Sequence, residues 1–113
     1  MPFIYHITYR SHWNFAKLRD LYQTDSLETE GFIHCSDKKQ ILEVANAAFT
    51  GEKDLLILVI DTELLKAELR YEGTGSAGQY PHLYGPLNLD AVTQVLEFRT
   101  DAKGKFSLPK NLP

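Results

Sequence analysis

Three of the four histidines in this 113-residue chain lie in short strand-like segments. His6 lies in the stretch FIYHIT, His34 in EGFIHCS and His82 in YPHLYG. Burying an imidazole costs free energy unless its ring nitrogens find partners, and histidine is also the side chain best suited to proton transfer near neutral pH. We therefore take these three histidines as the candidate catalytic residues and expect them to line one cleft if their strands converge.

The neighbours of these histidines on each strand indicate what a ligand would meet. Side chains alternate between the two faces of a strand, so Cys35 points away from His34 and is interpreted as a small core residue rather than a nucleophile. Tyrosine rings beside a histidine suit stacking on a planar ligand. The candidate cofactor-binding residues are therefore His6, His34, Ser36, Tyr80 and Tyr84.

Acid–base chemistry would also use carboxylates, and three of them lie at predicted ends of elements. Glu30, Glu72 and Asp90 are placed where a side chain can reach a cleft. A lone carboxylate is more often a solvated surface group, which is the alternative interpretation for Glu30. The histidines lack the short spacing that is typical of zinc sites, so no metal is expected.

The segment GTGSAG, residues 73–78, spells the G-x-G-x-x-G pattern of dinucleotide-binding loops. That pattern requires a helix to begin at the loop, and Pro81 follows too closely for a helix to continue. The segment is predicted to be a glycine-rich loop, either a lid over a ligand or an ordinary exposed loop.

Composition indicates an ordinary globular domain. Hydrophobic residues make up 43% of the chain, charged residues 24%, and the net charge is −3, which argues against broad nucleic-acid binding. The single cysteine fits a reducing compartment, and no export signal is recognisable at the N-terminus. The longest apolar run, Leu55 to Ile60, is far shorter than the roughly 20 residues that span a bilayer, so we expect a cytoplasmic protein with no membrane partner.

The strands that would position the histidines follow from the apolar pattern. Alternation from Phe3 to Tyr9 predicts the first strand. The uninterrupted apolar run from Leu55 to Ile60 predicts a central strand that is buried on both faces. Further strands are predicted at residues 31–35, 68–72, 80–85 and 92–99.

A first helix is predicted directly after the first strand. Ser11 is its candidate N-cap, and the helix continues to about Tyr22. Phe15, Leu18 and Tyr22 recur at helical spacing, so they are expected to face the core, with Trp13 at the edge of that face.

A second helix has the clearer signals. Asp37 and Gln40 form a capping-box-like pair ahead of it. Apolar residues then recur at one helical face, namely Ile41, Val44, Ala45, Ala48 and Phe49. The order of elements predicts a single α+β domain with two main helices over residues 1–99, followed by a loosely attached tail over residues 100–113.

Five segments in this order resemble the DUF952 family of small, mostly bacterial proteins. They are IYHI from Ile4, EGFIHCS from Glu30, the run from Gln40 to Phe49, DLLIL from Asp54, and PHLYGPLN from Pro81. The family is similar in fold to the ADP-ribosyltransferase superfamily, closest to the branch with the RNA 2′-phosphotransferases. The resemblance implies an ADP-ribosyltransferase-like split β-sheet that holds NAD, or an ADP-ribosyl group, between two sheets.

The resemblance also implies roles for the histidines. His6 would hydrogen-bond the ribose, His34 would stack on or position the nicotinamide, and His82 would act as a general acid or base or contact a phosphate. The glutamate common at the third position of ADP-ribosyltransferases has no counterpart on the strand of His82 and Tyr84, and RNA-gripping arginines are not identifiable. The first hypothesis is therefore a transferase or hydrolase acting on NAD or an ADP-ribosyl group, with 2′-phosphotransfer on RNA as one form of it. The second is a non-catalytic nucleotide or small-molecule binding module. The third is an interaction protein with a structural histidine network.

Overall fold

A computed structural model describes residues 2–73 and 78–113, which form two three-stranded antiparallel sheets and three α-helices. The strands are β1 (Phe3–Tyr9), β2 (Ile33–His34), β3 (Leu55–Asp61), β4 (Glu68–Glu72), β5 (Tyr80–Tyr84) and β6 (Val92–Phe98). The helices are α1 (Arg10–Arg19), α2 (Ser26–Thr29) and α3 (Ile41–Ala48). The predicted single α+β domain is confirmed. Residues 74–77 of the glycine-rich motif lie outside the described residues.

The first sheet has the strand order β1-β3-β6 and forms the middle layer of the molecule. Every residue of β3 is buried, because one face of the sheet packs on the second sheet and α1 while the other packs on α3 and the C-terminal residues. Leu56 and Leu58 enter the first of these cores, whereas Ile57 and Val59 enter the second. The prediction of a central strand at this apolar run is confirmed.

The start of α3 follows the predicted capping pattern. The Asp37 Oδ1 atom accepts a hydrogen bond from the Gln40 backbone N–H at 2.8 Å, and Gln40 Oε1 accepts one from the Asp37 N–H at 3.0 Å. Ile41 and Ala45 are completely buried against the first sheet. Reciprocal bonds of this kind satisfy donors that would otherwise be unpaired, and they order the turn at residues 37–40 that leads into the helix at Ile41.

The predicted inward face of α1 is wrong at Phe15 and Leu18, whereas Tyr22 is buried as predicted, although the helix has already ended at Arg19. Phe15 and Leu18 are 58% and 86% exposed, whereas Trp13 and Ala16 are the buried residues of the helix. The helix begins at Arg10, one residue after β1, and the Arg10 backbone N–H donates to the Asp54 carbonyl at 2.9 Å. This early start sets the rotation of the helix, so the face carrying Trp13 meets the core.

The C-terminal residues are packed more tightly than the predicted loose tail. Phe106 and Leu112 are 5% and 6% exposed and join the core between the first sheet and α3. The Phe106 ring lies 4.8 Å from that of Phe98, and its backbone N–H donates to Asn46 Oδ1 at 3.0 Å. Burial of these apolar side chains outweighs the polar and proline-rich composition around them.

The second sheet has the strand order β2-β5-β4 and turns Ile33 and Leu83 into the core. Its first strand is shorter than the predicted residues 31–35, because the chain leaves this sheet after Cys35 to pair with the first sheet. His34 lies directly opposite His82 in the register, so both imidazoles emerge on the face of the sheet opposite Ile33 and Leu83. No helix in the described part of the chain has the length and apolar character needed to cross a membrane.

Candidate functional site

The two sheets are joined at one isolated backbone bridge between Tyr5 and Ser36. The N–H of each residue donates to the carbonyl of the other at 2.8 Å. Beyond this bridge, towards Tyr9 on one strand and Phe32 on the other, no backbone hydrogen bond joins the two chain segments among the described residues. The sheets therefore separate like a fork, and the space between the prongs is a cleft.

The cleft has two connected parts with volumes of about 270 and 390 Å³. These volumes are near the lower end of ordinary ligand sites, which span roughly 300–1,000 Å³. The residues that both parts share are His6, Ile7, His34, Val44 and Phe49. The first part also contacts His82, Tyr80 and Ser36. The first part alone therefore brings together the three histidines that the sequence singled out.

His6 forms the floor of this cleft and has both ring nitrogens occupied. Its Nδ1 lies 2.6 Å from the backbone carbonyl oxygen of His34, and its Nε2 lies 2.8 Å from the Tyr22 hydroxyl. The same hydroxyl lies 2.8 Å from Thr8 Oγ1. These contacts connect β1 to the strand of His34 and to the segment after α1.

The protonation state of His6 follows from its burial and its partners. Burial lowers the pKa of His6 to about 4, with the His34 carbonyl opposing this change only in part. A carbonyl can only accept, so Nδ1 carries the single proton of the neutral ring and Nε2 accepts from the Tyr22 hydroxyl. Burial also raises the pKa of Tyr22 to about 12, so its hydroxyl keeps the proton. His6 has no free nitrogen for a ligand.

His34 is the most exposed of the three histidines and is paired with a carboxylate. Its Nε2 lies 2.8 Å from Glu30 Oε2, with the two side chains 57% and 49% exposed. The carboxylate accepts the Nε2 proton, which leaves Nδ1 as a lone-pair nitrogen in the neutral ring. Among the described residues Nδ1 has no hydrogen-bond partner.

His82 forms a second pair of the same type with Glu72. Its Nδ1 lies 2.9 Å from Glu72 Oε1, the oxygen that also accepts the Tyr84 hydroxyl. The bond from Tyr84, with a second contribution from His82, lowers the pKa of Glu72, so the carboxylate stays ionised. The Nε2 atom of His82 is left without a partner in the described structure.

Phe32 packs against both His34 and His82. Its ring stacks on the His82 imidazole with the centroids 3.9 Å apart and the planes 14° apart. The His34 ring centroid lies 4.8 Å from that of Phe32 and 5.6 Å from that of His82. The two imidazoles are therefore positioned by packing as well as by their carboxylates, an arrangement that suits proton transfer.

The predicted site residues divide into four groups in the structure. His34 and His82 line the cleft with one nitrogen each unoccupied, while His6 lines it with both nitrogens in use. Ser36 and Tyr80 also line the cleft. Tyr84 does not, since it lies behind His82 and bonds to Glu72.

The sequence identifies Glu30 and Glu72 only as carboxylates at the ends of elements and does not predict which histidine each one contacts. Glu30 precedes His34 by four residues. This spacing alone does not predict a contact, which forms because α2 ends at Thr29. Glu72 reaches His82 because β4 and β5 pair with Glu72 opposite Tyr80, a register that spacing alone does not fix. Within residues 2–73 and 78–113 no group of three or more potential ligands is placed to hold a metal ion.

The architecture thus defines a class of protein: an α+β domain whose two sheets fork around a histidine-lined cleft. The chain belongs to a family described as "Protein of unknown function (DUF952)", whose model matches residues 7–95. Among curated proteins none matches this chain.

Solved structures with the same fold come from the protein CC0527 of Caulobacter crescentus. Its crystal structure is 32% identical, covers 94% of each chain and superposes with a TM-score of 0.86. A solution NMR structure of the same protein is 33% identical, covers 93% of this chain and 91% of that one, and has a TM-score of 0.80. The fold is therefore similar to one determined by experiment.

Proposed function

We propose that the cleft binds the nicotinamide–ribose end of NAD, or an ADP-ribosyl group, and catalyses its hydrolysis or transfer. The observation that carries the proposal is the pair of histidine–carboxylate contacts, Glu30 with His34 and Glu72 with His82, whose imidazoles flank one cleft. The resemblance supplies the identity of the ligand. The geometry supports the chemistry, because each imidazole keeps one nitrogen available for proton transfer.

In the proposed reaction the C–N glycosidic bond breaks and its electron pair leaves with the nicotinamide nitrogen, which becomes neutral. The ribose carbon is then an oxocarbenium centre, and the oxygen of water or of an acceptor hydroxyl adds to it. The proton of that oxygen passes to Nε2 of His82, whose other nitrogen donates to Glu72. His34, on the neighbouring strand β2 of the same sheet, positions the leaving ring.

The carboxylates give this reaction the charge that it needs. Glu72 is held ionised by Tyr84 and His82, and it stabilises the imidazolium that forms when His82 takes a proton. Glu30 does the same for His34 at 2.8 Å. These residues supply the negative charge that the strand of His82 and Tyr84 itself does not carry.

The test is turnover of three substrates: NAD, ADP-ribose 1″,2″-cyclic phosphate and 2′-phosphorylated RNA. Released nicotinamide or new product is quantified by chromatography for the wild-type protein, His82→Ala and the control Glu43→Ala, since Glu43 is exposed on α3 and lines neither part of the cleft. We expect turnover of at least one substrate, lost by about 10²-fold or more in His82→Ala and kept in the control.

Two other results would assign the cleft differently. Saturable binding of a nucleotide without turnover would make it a non-catalytic binding module. Turnover unchanged by His82→Ala would remove His82 from the proposed mechanism.

A further inference from the structure

Positive charge is missing from the walls of the cleft. Neither part of it is lined by Lys or Arg within the described residues, and the undescribed positions 74–77 are Thr, Gly, Ser and Ala. Arg70 lies opposite His82 in the register and shares its face of the sheet, but it does not line the cleft, and Glu68 binds it through two bonds of 2.9 and 3.1 Å. A phosphate or pyrophosphate group is normally bound by such cations, and the cleft offers none.

Negative charge and aromatic faces are present instead. Glu30 and Glu72 stand behind His34 and His82, each within hydrogen-bond distance of the imidazole. Phe49 and Tyr80 line the cleft directly, and the faces of aromatic rings attract cations. At the floor, the buried ring of His6 donates its proton to a carbonyl and brings no positive charge of its own.

We propose that the cleft recognises its ligand by the positive charge of a planar ring, so that its substrates are N-ribosylated pyridinium compounds and the pyrophosphate of a dinucleotide adds no affinity. This proposal rests on the proposed function, because it takes the cleft as the ligand site. It narrows that function from nucleotides in general to the cationic base and its ribose. A phosphate-bearing ligand would leave its phosphates outside the cleft.

The experiment is isothermal titration calorimetry with four ligands under conditions of negligible turnover, using His82→Ala if the wild-type protein consumes them. Nicotinamide riboside carries the cationic ring without pyrophosphate, and NAD carries both. NADH carries the pyrophosphate with an uncharged nicotinamide ring, while ADP-ribose carries the pyrophosphate and has no nicotinamide ring. We expect the riboside and NAD to bind within about threefold of one another, and NADH and ADP-ribose to bind about tenfold or more weakly.

A double variant, Glu30→Gln with Glu72→Gln, tests the source of the preference. It should reduce the ratio between NAD and NADH affinities, whereas Glu43→Gln, an exposed carboxylate on α3, should leave the ratio unchanged. ADP-ribose or NADH binding as tightly as NAD would overturn the proposal even if NAD is turned over. Preferred binding of the cationic ring without any turnover would support it while the proposed catalysis fails. Binding of none of the four ligands would overturn both.

Discussion

The Nδ1 atom of His6 lies 2.6 Å from the backbone carbonyl oxygen of His34, so the buried histidine of the first sheet holds the chain segment that carries the exposed histidine of the second. The two residues thus have different tasks. His6 uses both nitrogens to join β1, β2 and Tyr22. His34 keeps one nitrogen available at the surface of the cleft.

The stability of the protein should depend on pH through His6. Its pKa falls from 6.5 to about 4 on folding, so protonation favours the unfolded chain. The contribution is fully present above about pH 6.5 and is lost as the pH falls to about 4, an effect of about 3 kcal/mol. Urea denaturation at pH 7 and pH 4 should therefore show a smaller loss of stability for His6→Gln than for the wild-type protein.

His12→Gln is the control for this measurement, because His12 is exposed on α1. Its loss of stability between the two pH values should equal that of the wild-type protein. An identical loss in His6→Gln would mean that His6 does not titrate in this range, contrary to its burial.

Removing the Tyr22 hydroxyl should destabilise the protein. Tyr22→Phe leaves Nε2 of His6 and Oγ1 of Thr8 without their 2.8 Å partner in a buried setting. We expect a loss of about 1–3 kcal/mol in the free energy of unfolding. Tyr9→Phe removes an exposed hydroxyl that donates to Glu52 at 2.7 Å and should cost less than about 0.5 kcal/mol. Equal costs in the two variants would contradict the buried network.

Turnover by the proposed enzyme should depend on the negative charge of Glu72 more than on the size or packing of its side chain. Glu72→Gln keeps the shape of the side chain but removes the charge that orients His82 and stabilises its protonated form. We expect a loss in kcat of about 10-fold or more. Glu43→Gln serves as the matched change on α3 and should leave kcat unaltered. A normal kcat in Glu72→Gln would show that the pair is structural.

Two phenylalanines offer a direct test of where the core ends. Phe106 is 5% exposed and packs on Phe98, whereas Phe15 is 58% exposed on α1. Phe106→Ala should reduce the free energy of unfolding by about 3–5 kcal/mol. Phe15→Ala should cost less than about 1 kcal/mol, since most of its surface is already in water. Thermal unfolding of both variants measures the two costs. A larger cost for Phe15→Ala than for Phe106→Ala would support the sequence-based prediction of an inward Phe15 and a loosely attached tail.

The sequence predicted those parts of the fold that short-range signals determine. The run from Leu55 to Ile60 and the Asp37–Gln40 cap identified β3 and α3, because burial on two faces and reciprocal capping leave local patterns. The inward face of α1 was wrong because Phe15 and Trp13 lie on competing apolar stripes. Only the starting point of the helix after β1 selects between them.

The candidate site was predictable in its histidines but not in its contacts. An imidazole inside an apolar strand is visible in one sequence, and all three such residues line the cleft. The Glu72–His82 pair depends on the register between β4 and β5, which comes from long-range strand pairing. The occupied nitrogens of His6 depend on Tyr22, sixteen residues away along the chain. Distances of this kind are set by tertiary packing.

The single bridge between Tyr5 and Ser36 also gives the cleft a direction. The part beside the bridge is the smaller, at about 270 Å³, and the part towards Tyr9 and His12 is the larger, at about 390 Å³. The two ends of the cleft therefore differ in volume, and one pair of main-chain hydrogen bonds determines which end is the narrower.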